Sequence, residues 1–178
     1  VAAVDAATGD VHWRDSWPTN HPHSTVALDR ERDRLLFGSN DGHVYAWSFP
    51  DLERAWTYDT RGDVKAPIAV ADGLAIVPSW AGTITAVNVE NGFRKWEFEA
   101  DADVMCAPAV ADGTVYVGSH DDRIYAIDLD SGEEVWRYDT GGWIIGSVVA
   151  TPEHVLVGSY DTRLYALEQE TGDVTWSV

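Results

Sequence analysis

A tryptophan recurs along this chain at a nearly constant interval, and that interval constrains the fold more than any other feature. Successive members are separated by 43, 40, 40 and 40 residues: Trp13, Trp56, Trp96, Trp136 and Trp176. Two further pairs of residues also recur every 40 residues, and we call each set of equivalent positions a column. The first column reads Gly38-Ser39, Pro78-Ser79, Gly118-Ser119 and Gly158-Ser159. The second reads Tyr45-Ala46, Thr85-Ala86, Tyr125-Ala126 and Tyr165-Ala166. Three columns with one period indicate a repeat protein, whose units bury their cores against one another.

The single longer step predicts an insertion. In every repeat the column serine precedes the next tryptophan by 17 residues, so the three extra residues must fall between Trp13 and Ser39. The charged segment 29–33 (DRERD) stands where later repeats carry Asp72-Gly73 and Asp112-Gly113. We therefore predict the insertion there, in a solvated hairpin loop.

Within one repeat, short apolar runs alternate with turn residues. Runs 106–111 and 114–119 are joined by Asp112-Gly113, and runs 123–129 and 133–138 by Ser131-Gly132. These pairs favour tight turns, and the runs are rich in β-branched and aromatic residues. No apolar stripe at helical spacing reaches ten residues. The pattern predicts four short antiparallel strands per repeat.

Four-stranded sheets at this period predict an all-β fold, a β-propeller. We expect a single domain over 1–178, with four full blades and a half blade: 1–13 for the half blade, then about 24–58, 66–98, 106–138 and 146–178. Because the sequence begins and ends inside the repeat pattern, we expect a fragment of a seven- or eight-bladed ring. The alternative is a homodimer that completes a ring of about eight blades.

The charge of the chain narrows the class of ligand. There are 30 acidic and 12 basic residues, a net charge of −18, and the only lysines are Lys65 and Lys95. The acids are scattered through every repeat, which favours adaptation to molar salt over one basic partner and resembles proteins of halophilic archaea. No basic stripe is available for nucleic acid. No apolar run could span a bilayer, and Cys106, the only cysteine, allows no intrachain disulfide.

The residues around each tryptophan resemble a known motif. Segments 3–13 (AVDAATGDVHW), 126–136 (AIDLDSGEEVW) and 166–176 (ALEQETGDVTW) resemble the tryptophan-docking motif of quinoprotein (PQQ) propellers, whereas 86–96 and 46–56 are looser matches. The glycine turns the outer hairpin and the tryptophan fills the space between blades. We therefore assign structural roles to these tryptophans and to Gly9, Gly92, Gly132 and Gly172.

The resemblance implies several functions, since such repeats occur in calcium-dependent dehydrogenases, in a non-catalytic outer-membrane assembly lipoprotein and in sensor domains. We expect a non-catalytic scaffold or interaction module with a protein partner, no catalytic residue and no resident metal or cofactor. One alternative is a fragment of a dehydrogenase, for which alone PQQ and calcium would be cofactors. Another is the sensor domain of a larger receptor or kinase. The resemblance favours an extracellular or cell-envelope location, and a cytoplasmic one stays open.

Departures from the repeat indicate where a ligand or partner would bind, because the repeat explains the other positions. Counting from the preceding tryptophan aligns His21 with Val64, Val104 and Ile144, and His23 with Ala66, Cys106 and Gly146. The two histidines could ligate a metal with a carboxylate or respond to pH; the alternative is that they bond the loop backbone.

A second set of departures follows the column serine. These positions hold bulky, varied residues: Asn40, Trp80, His120 and Tyr160. Together with Trp143, and with Lys65 in the loop 57–65, they would form a stacking surface for a planar ligand or a peptide, or else pack the loops. Asp41, Asp121 and Asp161 recur with the period, so we expect them to stabilise turns.

Overall fold

Every regular element in the described part of the chain is a β-strand. The computed structural model describes residues 1–16 and 20–178. A two-stranded half blade, β1 (Ala2–Val4) and β2 (Val11–Arg14), precedes four blades of four strands. Blade 1 has β3 (Ala27–Asp29), β4 (Arg34–Gly38), β5 (His43–Ser48) and β6 (Arg54–Asp59); blade 2 has β7 (Ala69–Ala71), β8 (Leu74–Pro78), β9 (Thr83–Asn88) and β10 (Arg94–Glu99). Blade 3 has β11 (Ala109–Ala111), β12 (Thr114–Gly118), β13 (Arg123–Asp128) and β14 (Glu134–Asp139); blade 4 has β15 (Val149–Ala150), β16 (His154–Gly158), β17 (Leu164–Glu168) and β18 (Val174–Ser177).

Each blade is an antiparallel meander whose strands pair in sequence order. In blade 2, which packs between two other sheets, the middle strands are buried on both faces, and all five residues of β8 are buried. The first strands of successive blades lie side by side, β3 against β7, β7 against β11 and β11 against β15. This arrangement confirms the predicted all-β propeller of four full blades and a half blade.

The repeated tryptophans join neighbouring blades through one repeated contact. The indole Nε1 of three of them donates a hydrogen bond to a main-chain oxygen of the next blade: Trp56 to Val89 at 2.9 Å, Trp96 to Leu129 at 2.8 Å and Trp136 to Gln169 at 2.9 Å. The same rings lie against the glycines of the next outer turn, Gly92, Gly132 and Gly172. A Cβ on any of these glycines would lie within 3.0 Å of the indole.

The two terminal tryptophans have different surroundings. Trp13 packs edge-on against Trp47, with ring centroids 6.0 Å apart. The outer turn of blade 1, which Trp13 faces, has Leu52 where the outer turns of the other blades have glycine. Trp176, in the last blade, is 41% exposed. Gly9 has the same positive φ as the docked glycines, +78°, and no atom within 4 Å of its Cβ position.

Two sequence-based boundaries need correction. The predicted strand 106–111 starts at Ala109, because Pro108 has no N–H and Ala107 forms a parallel bridge to Ser147 of the next blade. The β3–β4 turn has four residues, 30–33, where β7–β8 has two, 72–73. Only two of the three inserted residues therefore lie in this turn; the third lies upstream of His21, as the next section shows.

No helix long and apolar enough to cross a membrane occurs among residues 1–16 and 20–178.

Candidate ligand and partner face

One end of the propeller carries a row of residue pairs held by the same main-chain hydrogen bond. In each blade the residue after the column serine donates its N–H to a carbonyl of the preceding interblade loop, at 2.9–3.1 Å. We call these eight residues the rim: His21/Asn40, Asp63/Trp80, Asp103/His120 and Trp143/Tyr160. In blade 3 the serine adds to this, since Ser119 Oγ donates to the Asp103 carbonyl at 3.2 Å and accepts the Asp121 N–H at 3.3 Å. The backbone therefore sets each rim position whatever side chain stands there.

These hydrogen bonds correct the alignment of the first loop. Asn40 donates to His21 as Trp80 donates to Asp63, so His21 is equivalent to Asp63 and not to Val64. The count from Trp13 was wrong by one residue, because the third inserted residue lies between Trp13 and His21. The predicted loop 14–23 contains residues 17–19, which lie outside the described residues.

The two histidines of this loop are both exposed. His21 interacts with Asn20, whose Oδ1 lies 2.9 Å from the ring Nδ1 and accepts the His21 main-chain N–H at 2.8 Å. No group of three or more His, Cys, Asp or Glu side chains that could hold a metal occurs within the described ranges. This loop therefore presents an exposed His21 that is held by the side chain of Asn20.

Blades 3 and 4 bring three predicted residues into one aromatic row. The rings of His120 and Trp143 stack with centroids 5.2 Å apart and an interplanar angle of 19°, and Tyr160 lies 6.3 Å beyond Trp143 at 43°. Trp143 is 52% exposed and Tyr160 is 69% exposed. Such a row leaves aromatic surface open to a ligand.

Blade 2 brings together two more predicted residues. Lys65 Nζ lies over the Trp80 ring, 3.2 Å from its centroid, and also lies 3.3 Å from a carboxylate oxygen of Asp63. Cation, aromatic face and carboxylate thus form one compact unit. Asp63 and Asp103 were not predicted as site residues, although both follow a repeat tryptophan by seven residues, as Trp143 does.

Three rim side chains have buried polar atoms without a hydrogen-bond partner in the described part of the chain. They are Asn40 Oδ1, Trp80 Nε1 and His120 Nε2. A buried donor or acceptor that stays unpaired costs free energy, so such atoms are usually satisfied by water or a ligand. Their recurrence at one repeat position marks the rim as a polar face as well as an aromatic one.

The recurring aspartates stabilise the turns beside the rim. Asp121 Oδ1 accepts the Arg123 N–H at 3.0 Å while Oδ2 accepts the Tyr125 hydroxyl at 2.6 Å, and Asp41 and Asp161 make the same contacts. Burial raises the pKa of the Tyr125 phenol, and its bond to Asp121 raises it further. Blade 2 lacks this pair: Ala81 replaces the aspartate, Thr85 replaces the tyrosine, and the Thr85 hydroxyl is buried without a partner in the described residues.

A separate cleft of about 550 Å³ lies at the opposite end of blades 1 and 2, between the β3–β4 and β7–β8 turns. Arg32 and Asp29 line it and are paired with each other at 3.0 Å. The cleft is remote from the rim, and no sequence-predicted site residue lines it.

The fold and the tryptophan–glycine contact define the class of protein as a propeller built from PQQ-type repeats. The sequence profile described as outer membrane protein assembly factor BamB matches residues 1–108 and 101–178, and the chain belongs to this family. No curated protein sequence matches the chain.

Solved structures share the fold. BamB from Moraxella catarrhalis is 17% identical with a TM-score of 0.67, and the match covers 96% of this chain and 68% of that one. The quinohemoprotein alcohol dehydrogenase ADHIIG from Pseudomonas putida HK5 is 18% identical with a TM-score of 0.75, covering 88% of this chain and 34% of that one. The computationally designed Ika4 protein is 16% identical with a TM-score of 0.72, covering 82% and 91%. This chain thus spans about two thirds of the BamB chain and about a third of the dehydrogenase.

Proposed function

We propose that this protein is a non-catalytic propeller module that binds another protein through the rim. The observation that carries the proposal is the exposed pair Trp143 and Tyr160, held by the backbone at positions where the side chain varies between blades. Large aromatic side chains at exposed, rigid positions are typical anchors of protein interfaces. Membership of a family described as an assembly factor supports the same role.

Peptide selection tests this proposal. A displayed library of random peptides is selected on the folded chain, and each recovered peptide is measured against a double variant, Trp143→Ala with Tyr160→Ala. The matched control is Phe93→Ala, because Phe93 is 74% exposed but lies in the β9–β10 turn, at the opposite end of blade 2. We expect loss of binding in the rim variant alone. Peptides that bind both variants equally would contradict a partner site at the rim.

A quinoprotein function is the second candidate, and the similarity in fold to the alcohol dehydrogenase favours including it. The chain is titrated with PQQ and calcium in molar KCl while tryptophan fluorescence is followed, with light scattering on the same sample for mass. We expect no saturable, calcium-dependent quenching from the scaffold. Quenching in the micromolar range would instead support a cofactor site and overturn the non-catalytic proposal.

We also propose that the protein works at molar salt. The net charge of −18 gives strong self-repulsion at low ionic strength, and salt screens it. The midpoint of thermal unfolding should rise steadily with KCl concentration. A midpoint that is independent of KCl would contradict adaptation to salt.

A homodimer that completes the ring is a further proposal. The exposed Trp176 and the unoccupied position beside Gly9 are the two halves of the contact that joins neighbouring blades. Light scattering measures the mass, and Trp176→Ala should convert a dimer to monomers. A monomeric parent chain at high protein concentration would contradict it.

A further inference from the structure

We propose that Arg163, in blade 4, binds a carboxylate that the partner protein presents, at the position where blade 3 has the carboxylate of Asp101. The inference rests on the proposed function and specifies one chemical group that this end of the rim recognises.

Blade 3 shows the arrangement in complete form. The Arg123 guanidinium bonds two carboxylates: Nε donates to Asp139 Oδ1 at 2.7 Å, and Nη1 donates to Asp101 Oδ2 at 2.6 Å. Asp139 ends strand β14 of the same blade, whereas Asp101 lies in the loop between β10 and β11. The loop therefore supplies the carboxylate on one side of the guanidinium, and the strand supplies the other.

Arg163 is the equivalent arginine of blade 4. Its main-chain N–H donates to Asp161 Oδ1 at 3.0 Å, as that of Arg123 donates to Asp121 at 3.0 Å. Its side chain also interacts with the phenol two residues further along its strand, as the side chain of Arg123 does. The two guanidinium groups therefore lie at equivalent places in their blades.

The loop beside Arg163 lacks the carboxylate. Trp143 is the rim equivalent of Asp103, so Gly141 stands where blade 3 has Asp101. Gly141 is exposed, and the nearest atom to its Cβ position is 3.7 Å away. Arg163 is also exposed, and it forms no ion pair with any residue of 1–16 and 20–178. The loop side of its guanidinium is therefore open to a carboxylate from another molecule.

The turn that carries Arg163 does not supply a substitute. The only carboxylate in the turn 159–163 is Asp161. Its Oδ1 accepts the Arg163 main-chain N–H at 3.0 Å, and its Oδ2 accepts the Tyr165 hydroxyl at 2.5 Å. Both oxygens are thus engaged within the blade, as those of Asp121 are in blade 3.

The open guanidinium belongs to the same segments as the exposed aromatic pair. Arg163 and Tyr160 share one turn, which is closed by the Ser159 N–H bonded to the Arg163 carbonyl at 2.9 Å. Gly141 and Trp143 share one interblade loop. A partner segment that packs on Trp143 and Tyr160 can therefore present an acidic residue to Arg163.

A carboxylate is the ligand that fits this position. Its two oxygens match the planar donors of a guanidinium and form short, charge-assisted hydrogen bonds with them. The net charge of −18 does not exclude an acidic segment at molar salt, because the Debye length there is about 3 Å. Repulsion from the rest of the surface is then screened, while a contact between guanidinium and carboxylate remains favourable.

The test uses two pairs of peptides, and the members of each pair differ in one charge. The first pair is Ac-Gly-Phe-Asp-Gly-amide and its asparagine analogue; the second is Ac-Gly-Phe with a free C-terminus and the same peptide as its amide. Binding is followed in molar KCl by the ¹H–¹⁵N signals of the Arg163 Nε–H and the Trp143 indole N–H. We expect the aspartate peptide to bind about two- to fivefold more tightly than its asparagine analogue. A preference confined to the second pair would support the site and identify a terminal carboxylate as its ligand.

Four variants of the chain examine the pairing. Gly141→Asp supplies the loop carboxylate from within the chain, as Asp101 does, and should abolish the preference for the charged peptide. Gly141→Asn has nearly the same shape and the same backbone cost at φ +101°, so it should keep the preference. Arg163→Gln should abolish it. The matched control is Arg137→Gln, an exposed arginine of β14 that pairs with Glu134, and it should leave the preference unchanged.

Two results would overturn the inference: no preference for the charged member of either pair, or equal preferences in Gly141→Asp and Gly141→Asn. The proposed function fails separately. If library peptides depend on Trp143 and Tyr160 but bind Arg163→Gln as well as the parent chain, the partner site stands and the carboxylate inference is wrong. If the charged peptides depend on Arg163 but no library peptide depends on the aromatic pair, the carboxylate site stands without a protein-binding role.

Discussion

Replacing Gly132 with alanine tests how far the interblade contact governs stability. Gly132 has φ +77°, and an added Cβ would lie 2.5 Å from Trp96 Cγ and 2.7 Å from Trp96 Cβ. The left-handed backbone costs an alanine about 1–2 kcal/mol. The overlap adds about 1–3 kcal/mol, because Trp96 is buried and can move only by breaking its bond to Leu129. We expect a loss of about 2–5 kcal/mol in the free energy of unfolding.

Gly113 provides the matched control. It lies in the same blade with φ +76°, and no atom lies within 4 Å of its Cβ position. Gly113→Ala should therefore show only the backbone cost of about 1–2 kcal/mol. Urea unfolding in molar KCl, followed by circular dichroism, measures both. In a Trp96→Ala background the cost of Gly132→Ala should fall but stay above that of Gly113→Ala, because alanine removes the indole and keeps the Cβ that lies 2.7 Å from the added one. Equal losses for the two glycine variants in the parent chain would refute the reasoning.

Three further predictions concern single side chains. Trp136→Phe keeps most of the packing but removes the bond to Gln169, so it should lower the free energy of unfolding by about 1–2 kcal/mol in urea titrations, and no change would contradict the contact. Burial raises the pKa of the Cys106 thiol to about 11. A thiol reagent at about pH 8 should therefore label it only on unfolding, and rapid labelling of the native chain would contradict its burial. The phenol of Tyr125 keeps its proton in the fold while the unfolded phenol ionises near its ordinary pKa, so stability should fall as pH rises above about 10, and less steeply in Tyr125→Phe. An identical pH dependence in that variant would exclude Tyr125 as a contributor.

The sequence was sufficient for the architecture because the repeat determines it. Equally spaced tryptophans, paired with turn glycines, leave four short strands per unit and one way to bury them. The start of the first strand of blade 3 was harder to predict, since Ala107 hydrogen-bonds Gly146 and Val148 of the next blade instead of its own sheet. That pairing depends on how blades stack, which no local pattern encodes.

The rim was predicted only in part. The residues after the column serine were found because they depart from a repeat, and so was Trp143. Asp103 was missed because an aspartate in an acidic chain carries little information by itself. Its place on the rim becomes visible only through the hydrogen bond that the His120 N–H donates to its carbonyl. His21 was misaligned because the three inserted residues are shared between two loops. Counting from Trp13 does not show how many of them precede His21.

The repeated hydrogen bond within each rim pair joins main-chain atoms alone, and this separates recognition from architecture. A rim side chain can change without loss of the bond that positions it, as the variety of Asn40, Trp80, His120 and Tyr160 shows. The rim side chain of each blade can then be replaced while the main-chain geometry that positions it stays the same. Lineages that duplicate or exchange single blades could therefore acquire new partners one contact at a time, and a designer could reprogram the surface by substituting four residues without redesigning the sheets beneath them.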